Sequence, residues 1–310
     1  MFTSIPGITA GHYTDFKALT GCTVVLCPDN TVGSCDIRGS APGSRETALL
    51  DPEKTMNQVN AILLTGGSAF GLAAADGVMQ YLADNDIGYK TPWVKVPIVP
   101  AAVVFDLNAG DKNVRPLPEN AYAACESATA GEIERGSVGA GTGATVGKWM
   151  GPEYWMKGGV GTAEQKHNDL IVSALAVVNA IGDVYDTNGK IITGARHPDG
   201  GFWAEVEPGA MFGQAQLPLN TNTTLVIVAT NAKCTKLQVY QMCRRAQTGM
   251  ARAIKPAHTS HDGDCVFGLA TGTQDAPLDL VAEIAAEVTA EAIRDGVRTA
   301  RGIGNIPGAA

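Results

Sequence analysis

The feature that most constrains this chain is a short apolar run that directly follows a polar loop. Residues 225–230 (LVIVAT) are rich in β-branched side chains, and residues 218–222 (PLNTN) lead into them with no turn between. A run that is apolar at successive positions is typical of a strand buried on both faces. The pattern therefore predicts a buried strand at residues 224–230, with the hydroxyl of Thr223 held rigidly just before its first residue.

Thr223 is a candidate nucleophile because of this position. If the peptide bond between Asn222 and Thr223 were cut, the strand would begin with a free α-amine on the residue that carries the hydroxyl. One residue would then supply both the nucleophile and its base. For an isolated Asn-Thr-Thr the alternative is that Thr223 is only the first residue of a strand, and the rest of the chain has to decide between the two.

The composition describes a globular protein and argues against several classes of partner. The chain has 310 residues, of which 45% are apolar and 17% charged, and its net charge is −8. An acidic chain of this kind has no Lys/Arg stripe to neutralise phosphates, so we expect no nucleic-acid partner. The longest apolar runs are interrupted or too short to span a bilayer, and residues 1–7 lack the charged and apolar regions of a secretion signal.

Cysteine usage favours a reducing compartment. The seven cysteines are an odd number and include no C-x-x-C pair. Reduced thiols in a cytoplasmic protein are the simplest account. Cys265 follows two aspartates, Asp262 and Asp264, and an acidic neighbourhood raises the pKa of a thiol, so we interpret Cys265 as a packing residue and not as a nucleophile.

The predicted elements mix strands and helices without strict alternation. The apolar and small-residue patterns predict strands at 21–28, 31–37, 59–64, 170–179, 224–230 and 265–271, an edge strand and loop at 94–107, and helices at 72–83, 119–130, 233–253 and 278–300. Several strands are apolar on both faces, which favours stacked sheets covered by helices over a doubly wound parallel sheet. Residues 208–222 show no periodicity and are the best candidate for an exposed, cleavable linker.

Six short motifs occur in order along nearly the whole chain. They are Arg38–Thr47 (RGSAPGSRET), Leu64–Gly71 (LTGGSAFG), Gly139–Ala144 (GAGTGA), Lys157–Gly159 (KGG), Asn222–Thr224 (NTT) and Asp262–Asp264 (DGD). Each motif is weak alone, but the ordered set is specific. Together they resemble the family of L-aminopeptidase D-esterase, the β-aminopeptidases and the 6-aminohexanoate-oligomer hydrolase, or nylon hydrolase.

The resemblance implies an architecture and a maturation step. Members of this family fold as a four-layer α-β-β-α sandwich, an α/β (α+β) class similar to the ornithine acetyltransferase-like fold. They are made as inactive precursors that cut themselves before a Ser or Thr. We therefore expect one domain, 1–310, cleaved into 1–222 and 223–310, and a homo-oligomer, a tetramer of cleaved α/β protomers, as the assembled form.

The resemblance also assigns roles at the predicted cut. Thr223 matches the nucleophile and new N-terminus, with Asn222 on the other side of the bond. Asn179 matches the side chain that stabilises the oxyanion. Asp262 and Asp264 match an acidic pair near the nucleophile, where the aminopeptidases carry Ser and Glu. Threonine at the cut resembles the nylon hydrolase branch, whereas the aminopeptidase branch would carry serine.

Three further assignments concern the walls of the expected site. Lys148 matches a catalytic-site lysine, and Lys157 is the second candidate because an insertion blurs the register there. Backbone N–H groups of the glycine-rich loop, at Gly141 and Thr142, are suited to contact the substrate or oxyanion, because glycine lets the backbone approach closely. Phe105 departs from the family pattern, since family members tend to carry Tyr at its position. This chain therefore lacks a hydroxyl that could help to hold the substrate or oxyanion.

The sequence thus favours a self-processing amidohydrolase that forms an acyl-enzyme on Thr223. The expected substrates are small molecules, namely amides, short peptides or ω-amino-acid oligomers of the 6-aminohexanoate (nylon-like) kind. No cofactor and no metal are expected, because Asp262-Gly263-Asp264 lacks the spacing of a calcium loop. Two alternatives stay open: an acyltransferase related to ornithine acetyltransferase, and a binding or assembly protein of low activity that kept the fold.

Overall fold

The computed structural model describes residues 1–209 and 221–310, in which two large sheets stack face to face. The strands of the first sheet, in spatial order, are β1 (Thr9–Asp15), β2 (Thr20–Leu26), β5 (Ala61–Thr65), β8 (Ala101–Val103) and β4 (Ser44–Arg45). The strands of the second sheet, in spatial order, are β11 (Gly159–His167), β12 (Leu170–Asn179), β15 (Thr223–Ala232), β17 (Cys265–Gln274) and β3 (Val32–Ile37).

Helices cover the outer face of each sheet. The helices are α1 (Ala75–Asp84) and α2 (Pro118–Glu126) on the first sheet, α4 (Lys236–Ala253) and α5 (Leu278–Arg298) on the second, and the single-turn α3 (Trp203–Val206). The layers therefore run helix, sheet, sheet, helix, and the expected α-β-β-α sandwich is confirmed. Among the helices of the described residues, none is long and apolar enough to cross a membrane.

Short elements join the layers. The small ladders pair β6 (Tyr89–Lys90) with β7 (Lys95–Val96), β9 (Thr145–Val146) with β10 (Met156–Lys157), and β13 (Asp183–Tyr185) with both β14 (Ile191–Thr193) and β16 (Ile254–Lys255). The 3₁₀ turns are Phe2–Ser4, Thr47–Leu50, Ser68–Ala74, Gly139–Gly141, Lys148–Met150 and Pro152–Tyr154.

The strand β15 lies at the centre of the second sheet and is buried along its whole length. Leu225 and Ile227 point into the core between the two sheets, whereas Val226 and Val228 point into the core beneath α4 and α5. This double burial is the reason that the run is apolar at successive positions instead of alternating. The strand begins at Thr223, one residue before the predicted start, and pairs antiparallel with β12 and parallel with β17.

The four predicted helices differ from the observed ones at their ends. The helix α4 begins three residues after its predicted start, and α5 ends two residues before its predicted end. The segment predicted to be helical from residue 72 is a 3₁₀ turn up to Ala74, and only then does α1 begin. The helix α2 ends at Glu126, four residues before its predicted end, because Thr129 leaves the helical path to pair its backbone with Ala10 of β1. Residues 210–220 of the predicted linker lie outside the described residues.

Packing in the central strand predicts a large effect of truncation at Ile227. This side chain is fully buried between the sheets, so Ile227→Ala removes apolar contacts and leaves a cavity. We expect the free energy of unfolding, measured by urea denaturation and circular dichroism, to fall by about 2–5 kcal/mol. Leu237→Ala is the control at an exposed position of α4, where we expect a loss of less than about 1 kcal/mol. Equal losses in the two variants would contradict the assignment of β15 to the core.

Candidate active site

The ends of two neighbouring strands and one turn bring the predicted site residues together. Asn179 is the last residue of β12 and is the direct cross-strand partner of Thr223, the first residue of β15. The turn before β17 carries Asp262 and Asp264, and the backbone of Asp262 forms an isolated parallel bridge with Asn222. All five side chains are buried, so charge developing among them is poorly screened by water.

The carbonyl group of Asn222 lies at the centre of this arrangement. The hydroxyl of Thr223 donates a hydrogen bond of 2.5 Å to its oxygen, and the backbone N–H of Gly263 donates a second bond of 2.8 Å to the same oxygen. A Cβ atom added to Gly263 would lie 2.8 Å from the Thr223 hydroxyl oxygen, which places that hydroxyl directly against the turn. The carbonyl of the peptide bond that is predicted to be cut therefore contacts both the Thr223 hydroxyl and a backbone N–H that can polarise it.

Asp264 anchors the second residue of the strand. One of its oxygens accepts the backbone N–H of Thr224 at 2.7 Å. The other oxygen contacts His258 twice, accepting the backbone N–H at 3.0 Å and lying 2.9 Å from Nδ1. Burial disfavours the charged imidazole, but the hydrogen bond and charge of Asp264, together with the backbone of Gln247, raise the pKa of His258 overall. Asp264 is thus fully engaged in holding the strand and the loop before it.

Asp262 is positioned by Thr259 and has an unusual ionisation. One carboxylate oxygen accepts the backbone N–H of Thr259 at 2.9 Å and the Thr259 hydroxyl at 2.6 Å. Burial and then the neighbouring Asp264 carboxylate raise the pKa of Asp262 to about 6, against the opposing effects of the Thr259 hydrogen bonds and the Lys148 charge. A carboxylate with this pKa can exchange a proton near neutral pH, as a general base requires.

Lys148 contacts the segment just before the predicted cut between Asn222 and Thr223. Its ammonium donates to the side-chain oxygen of Asn179 at 2.8 Å, to the Asn179 carbonyl at 3.0 Å and to the Thr221 carbonyl at 3.2 Å. The side chain is fully buried, and burial lowers the pKa of Lys148 to about 7, with the Asp262 carboxylate opposing the shift. Lys148 therefore contacts both the cross-strand partner of Thr223 and the residue two positions before it.

Lys157 lies elsewhere in the same buried region. Its ammonium donates to the carbonyls of Gly141, Thr142 and Ala144 at 3.3, 2.7 and 2.7 Å, and burial lowers the pKa of Lys157 to about 7. The N–H groups of Gly141 and Thr142 donate to the carbonyls of Val138 and Gly139. In this structure the glycine-rich loop is thus closed on itself and tied to Lys157, and these two amides have partners other than a substrate.

The side chain of Asn179 has a defined orientation. Its oxygen accepts from Lys148 and from the backbone N–H of Thr145 at 3.0 Å. Its nitrogen consequently points the other way and donates to the carbonyls of Phe105 at 3.2 Å and Thr221 at 3.4 Å. Phe105 thus contacts Asn179 through its backbone carbonyl, and this contact does not depend on whether the side chain carries a hydroxyl.

Two buried aspartates near the site were not predicted. Asp106 accepts the hydroxyl of Thr20 and the backbone N–H of Gly67, both at 2.7 Å, and burial raises its pKa. Its charge acts on both lysines. The available signal was its place directly after Phe105, in a segment that resembles the family.

Asp183 supports the short turn that carries Lys148. It accepts the indole N–H of Trp149 at 3.0 Å and the backbone N–H of Ala195 at 2.9 Å, and burial raises the pKa of Asp183 to about 6. The backbone N–H of Lys148 itself donates to Ile181. No sequence pattern marked this aspartate.

Two further features of the described residues concern metal-ligating side chains and cysteine thiols. Within residues 1–209 and 221–310, no three His, Cys, Asp or Glu side chains are grouped so that they could hold a metal ion. All seven cysteines belong to these residues and are unpaired. Burial is the main cause that raises the pKa of Cys265, with nearby thiols and carboxylates adding to it, so its thiol is a poor nucleophile.

Comparison with known proteins identifies the family. The profile described as "Peptidase family S58" matches residues 1–309. The chain belongs to peptidase family S58. An uncharacterised aminopeptidase of Mycobacterium leprae is 43% identical over 293 residues, which cover 88% of this chain and 79% of the relative. A 6-aminohexanoate-oligomer endohydrolase of Kocuria sp. is 31% identical over 286 residues, covering 88% of this chain and 75% of the relative.

Solved structures share the fold of this S58 member. A β-aminopeptidase from Burkholderia sp. superposes with a TM-score of 0.75 at 19% identity, covering 100% of this chain and 90% of the other. The L-aminopeptidase D-Ala-esterase/amidase from Ochrobactrum anthropi, described as a variant of the Ntn hydrolase fold, gives a TM-score of 0.74 at 18% identity over 99% and 88% of the two chains. The expected family is thus confirmed, and the chain is a hydrolase of peptide or amide bonds.

The buried lysines predict a specific pH dependence of stability. The ordinary pKa of lysine is about 10.4, so between pH 7 and 8 the unfolded chain binds more protons at Lys148 and Lys157 than the folded chain, whose pKa values are about 7. The free energy of unfolding should therefore rise with pH in this window, by up to about 1.4 kcal/mol per pH unit for each lysine.

The variant Lys157→Met removes one of these contributions. We expect urea denaturation at pH 7.0, 7.5 and 8.0 to show a smaller rise for Lys157→Met than for the parent protein. The control is Lys166→Met, whose side chain is about half exposed and whose slope should match the parent. The comparison stays near neutral pH because thiols of the unfolded chain begin to ionise above it. If the free energy of unfolding of Lys157→Met rose with pH as steeply as that of the parent protein, burial would not lower the pKa of Lys157 as described.

Proposed function

We propose that this S58 hydrolase is a self-processing N-terminal-threonine amidohydrolase that cuts between Asn222 and Thr223. The fragments would be residues 1–222 and 223–310. The observation that carries the proposal is the Thr223 hydroxyl bonded to the carbonyl of Asn222, on a strand whose first residues are held by the turn at 262–264. These contacts support a role for Thr223 beyond that of the first residue of a strand.

The first reaction is directed at the chain itself. The Thr223 hydroxyl loses its proton to a base and attacks the Asn222 carbonyl carbon, the C–N bond breaks, and the nitrogen of Thr223 takes up a proton. The result is an ester between Asn222 and the Thr223 side chain, which water hydrolyses to a free carboxylate and a free hydroxyl. Asp262 is the base we favour, because its pKa is about 6 while the oxygens of Asp264 are occupied by Thr224 and His258.

The second reaction is directed at external amides. The new α-amine has an ordinary pKa of about 7.7–8.0 and can take the proton of its own hydroxyl. Lys148 lowers the pKa of that amine and Asp262 raises it, so the two together set the working pH. Removal of Thr221 from Lys148 and Asn179 frees their N–H groups, and we assign the Asn179 amide as the donor to the substrate oxyanion.

The hydroxyl of Thr223 is the first target for a test. Thr223→Val has nearly the same shape at this buried position but no nucleophile, so we expect a single uncut chain with no amide hydrolysis. Thr223→Ser keeps the hydroxyl and should still cut itself. The measurement is intact-mass analysis and N-terminal sequencing of purified protein, followed by hydrolysis of an amino-acid p-nitroanilide.

Two results would overturn the proposal. One is a folded wild-type protein that remains a single chain and hydrolyses no amide. The other is a Thr223→Val variant that still yields a chain starting at position 223, since cleavage would then not need the hydroxyl. Thermal unfolding of both variants shows whether a loss of cleavage reflects loss of the fold.

We propose small amides, short peptides and ω-amino-acid oligomers as the substrate class. Support comes from relatives named as an aminopeptidase and as a 6-aminohexanoate-oligomer endohydrolase. Side-by-side turnover of an α-amino-acid amide, a β-dipeptide and a 6-aminohexanoate dimer would rank the three kinds. We expect at least one to be hydrolysed with a kcat/KM at least 100-fold above that of Thr223→Val, and failure of all three would exclude this substrate class.

We also propose that cleaved protomers assemble as a homo-oligomer, a tetramer by family resemblance. Support comes from an exposed apolar hairpin, β6 to β7, in which Trp93 is 89% and Val94 60% exposed. Apolar side chains grouped at the surface are typical of contact areas between subunits. Light scattering coupled to gel filtration measures the mass, and Trp93→Ser should shift it toward the monomer if this hairpin is in the contact.

We place the protein in the cytoplasm on the basis of its thiols. All seven cysteines are unpaired within the described part of the chain, and unpaired thiols persist in reducing compartments. Fractionation of the source cells with detection by antibody tests this placement. Recovery in an extracellular fraction would contradict it.

A further inference from the structure

The two reactions proposed for this site require negative charge to be stabilised on two different oxygens. In self-cleavage the charge develops on the carbonyl oxygen of Asn222, whereas in hydrolysis it develops on a carbonyl oxygen of the substrate. We propose that the backbone N–H of Gly263 is the oxyanion donor of self-cleavage and that the Asn179 amide is reserved for external substrates. This inference rests on the proposed cut at Asn222–Thr223.

The hydrogen bonds of the uncut chain separate the two donors. The N–H of Gly263 already donates to the Asn222 carbonyl oxygen at 2.8 Å in the uncut chain, and this is the oxygen on which the negative charge develops during self-cleavage. The Asn179 side-chain nitrogen instead donates to the carbonyls of Phe105 and Thr221. Lys148 likewise donates to Thr221 and Asn179 and makes no bond to the Asn222 oxygen among the described residues. Gly263 is therefore the backbone group already aimed at the reacting carbonyl.

The turn that carries Gly263 is fixed from behind by the loop at residues 38–41. The N–H groups of Arg38 and Gly39 both donate to the Asp264 carbonyl at 3.1 Å, and the N–H of Ala41 donates to the Asp262 carbonyl at 2.9 Å. A Cβ atom at Gly39 would lie 2.2 Å from the Asp264 nitrogen and 2.5 Å from the Asp262 carbonyl oxygen. Only glycine fits this approach, so Gly39 is a positioning residue for the donor.

A fixed backbone donor suits the chemistry of this step. As the Thr223 oxygen bonds to the Asn222 carbon, the carbonyl electron pair moves to the Asn222 oxygen and strengthens its bond to Gly263. When the C–N bond breaks, the pair returns to form the ester carbonyl and the Thr223 nitrogen takes a proton. Because the N–H is already in place, no reorganisation is required during the reaction.

The direct test replaces the N–H of Gly263 by an oxygen atom, which removes the donor without adding bulk. Cell-free translation with a suppressor tRNA can replace Gly263 by glycolic acid, which turns the amide into an ester. We expect the rate of self-cleavage to fall about 10²–10³-fold, the loss typical of one oxyanion donor. The control places glycolic acid at Gly304, an exposed turn residue, where the rate should match the unmodified protein. Self-cleavage is followed by denaturing gel and intact mass.

The matured fraction supplies the second readout. After prolonged incubation, the kcat of the matured ester variant on an amide substrate should lie within about threefold of the unmodified enzyme. An unchanged rate of self-cleavage overturns the role of Gly263, and an equal loss in both reactions overturns the separation of donors. If instead the unmodified protein never cuts itself, the proposed function fails and not this inference alone.

A conventional pair of variants gives an independent test. Gly39→Ala forces the turn to shift and should slow self-cleavage at least tenfold, while Ser40→Ala, at an exposed neighbouring position, should cut at the wild-type rate. Thermal unfolding confirms that both are folded. The imidazole of His258, which contacts Asp264, reports on the position of the turn and separates positioning from a general structural effect. Its titration, followed by NMR, should change in Gly39→Ala and not in Ser40→Ala. A folded Gly39→Ala variant that cuts at the wild-type rate would contradict the proposal.

Discussion

The structure depends on one backbone alignment, in which the first residues of β15 lie alongside the turn that precedes β17. Asn222 accepts from Gly263, and Thr224 donates to Asp264. These two bonds flank Thr223 and leave its hydroxyl against the carbonyl it would attack. The rest of the sandwich holds β15 in place, because both faces of this strand are packed between layers.

Burial of charge gives the site its second property. Lys148, Lys157, Asp106 and Asp262 all lie in the interior, and burial shifts each of their pKa values toward the neutral form. Two of the shifted groups titrate close to pH 7, where ordinary lysines and carboxylates do not. The same burial that costs folding free energy thus leaves groups that can exchange protons near neutral pH, as the proposed reactions require.

The sequence predicted the large elements well, because their apolar patterns follow from burial. The strand at 224–230 was found within two residues at either end, since a strand buried on both faces has an unmistakable composition. The sequence favoured Lys148 over Lys157 but could not separate them firmly, because both lie beside glycines and the carbonyl groups that each ammonium contacts are visible only in the fold.

Other parts of the candidate site depend on contacts between distant residues. Asp183 supports Trp149, and Gly39 approaches the turn at 262–264 from more than two hundred residues away in the chain. No local periodicity encodes such contacts. The family motifs at Arg38–Thr47 and Asp262–Asp264 were recognised separately, and only the fold shows that the first of them holds the second in place.

The central place of β15 has a consequence for assembly. The strand β15 is hydrogen-bonded on one side to β12 and on the other to β17. It would keep these backbone hydrogen bonds if the peptide bond between Asn222 and Thr223 were cut. The nicked protein would therefore keep its native shape, yet its folding would become a reaction of two chains. Folding before the cut is unimolecular, whereas recovery from denaturation after the cut would depend on protein concentration, so the order of the two events determines whether the molecule can form efficiently.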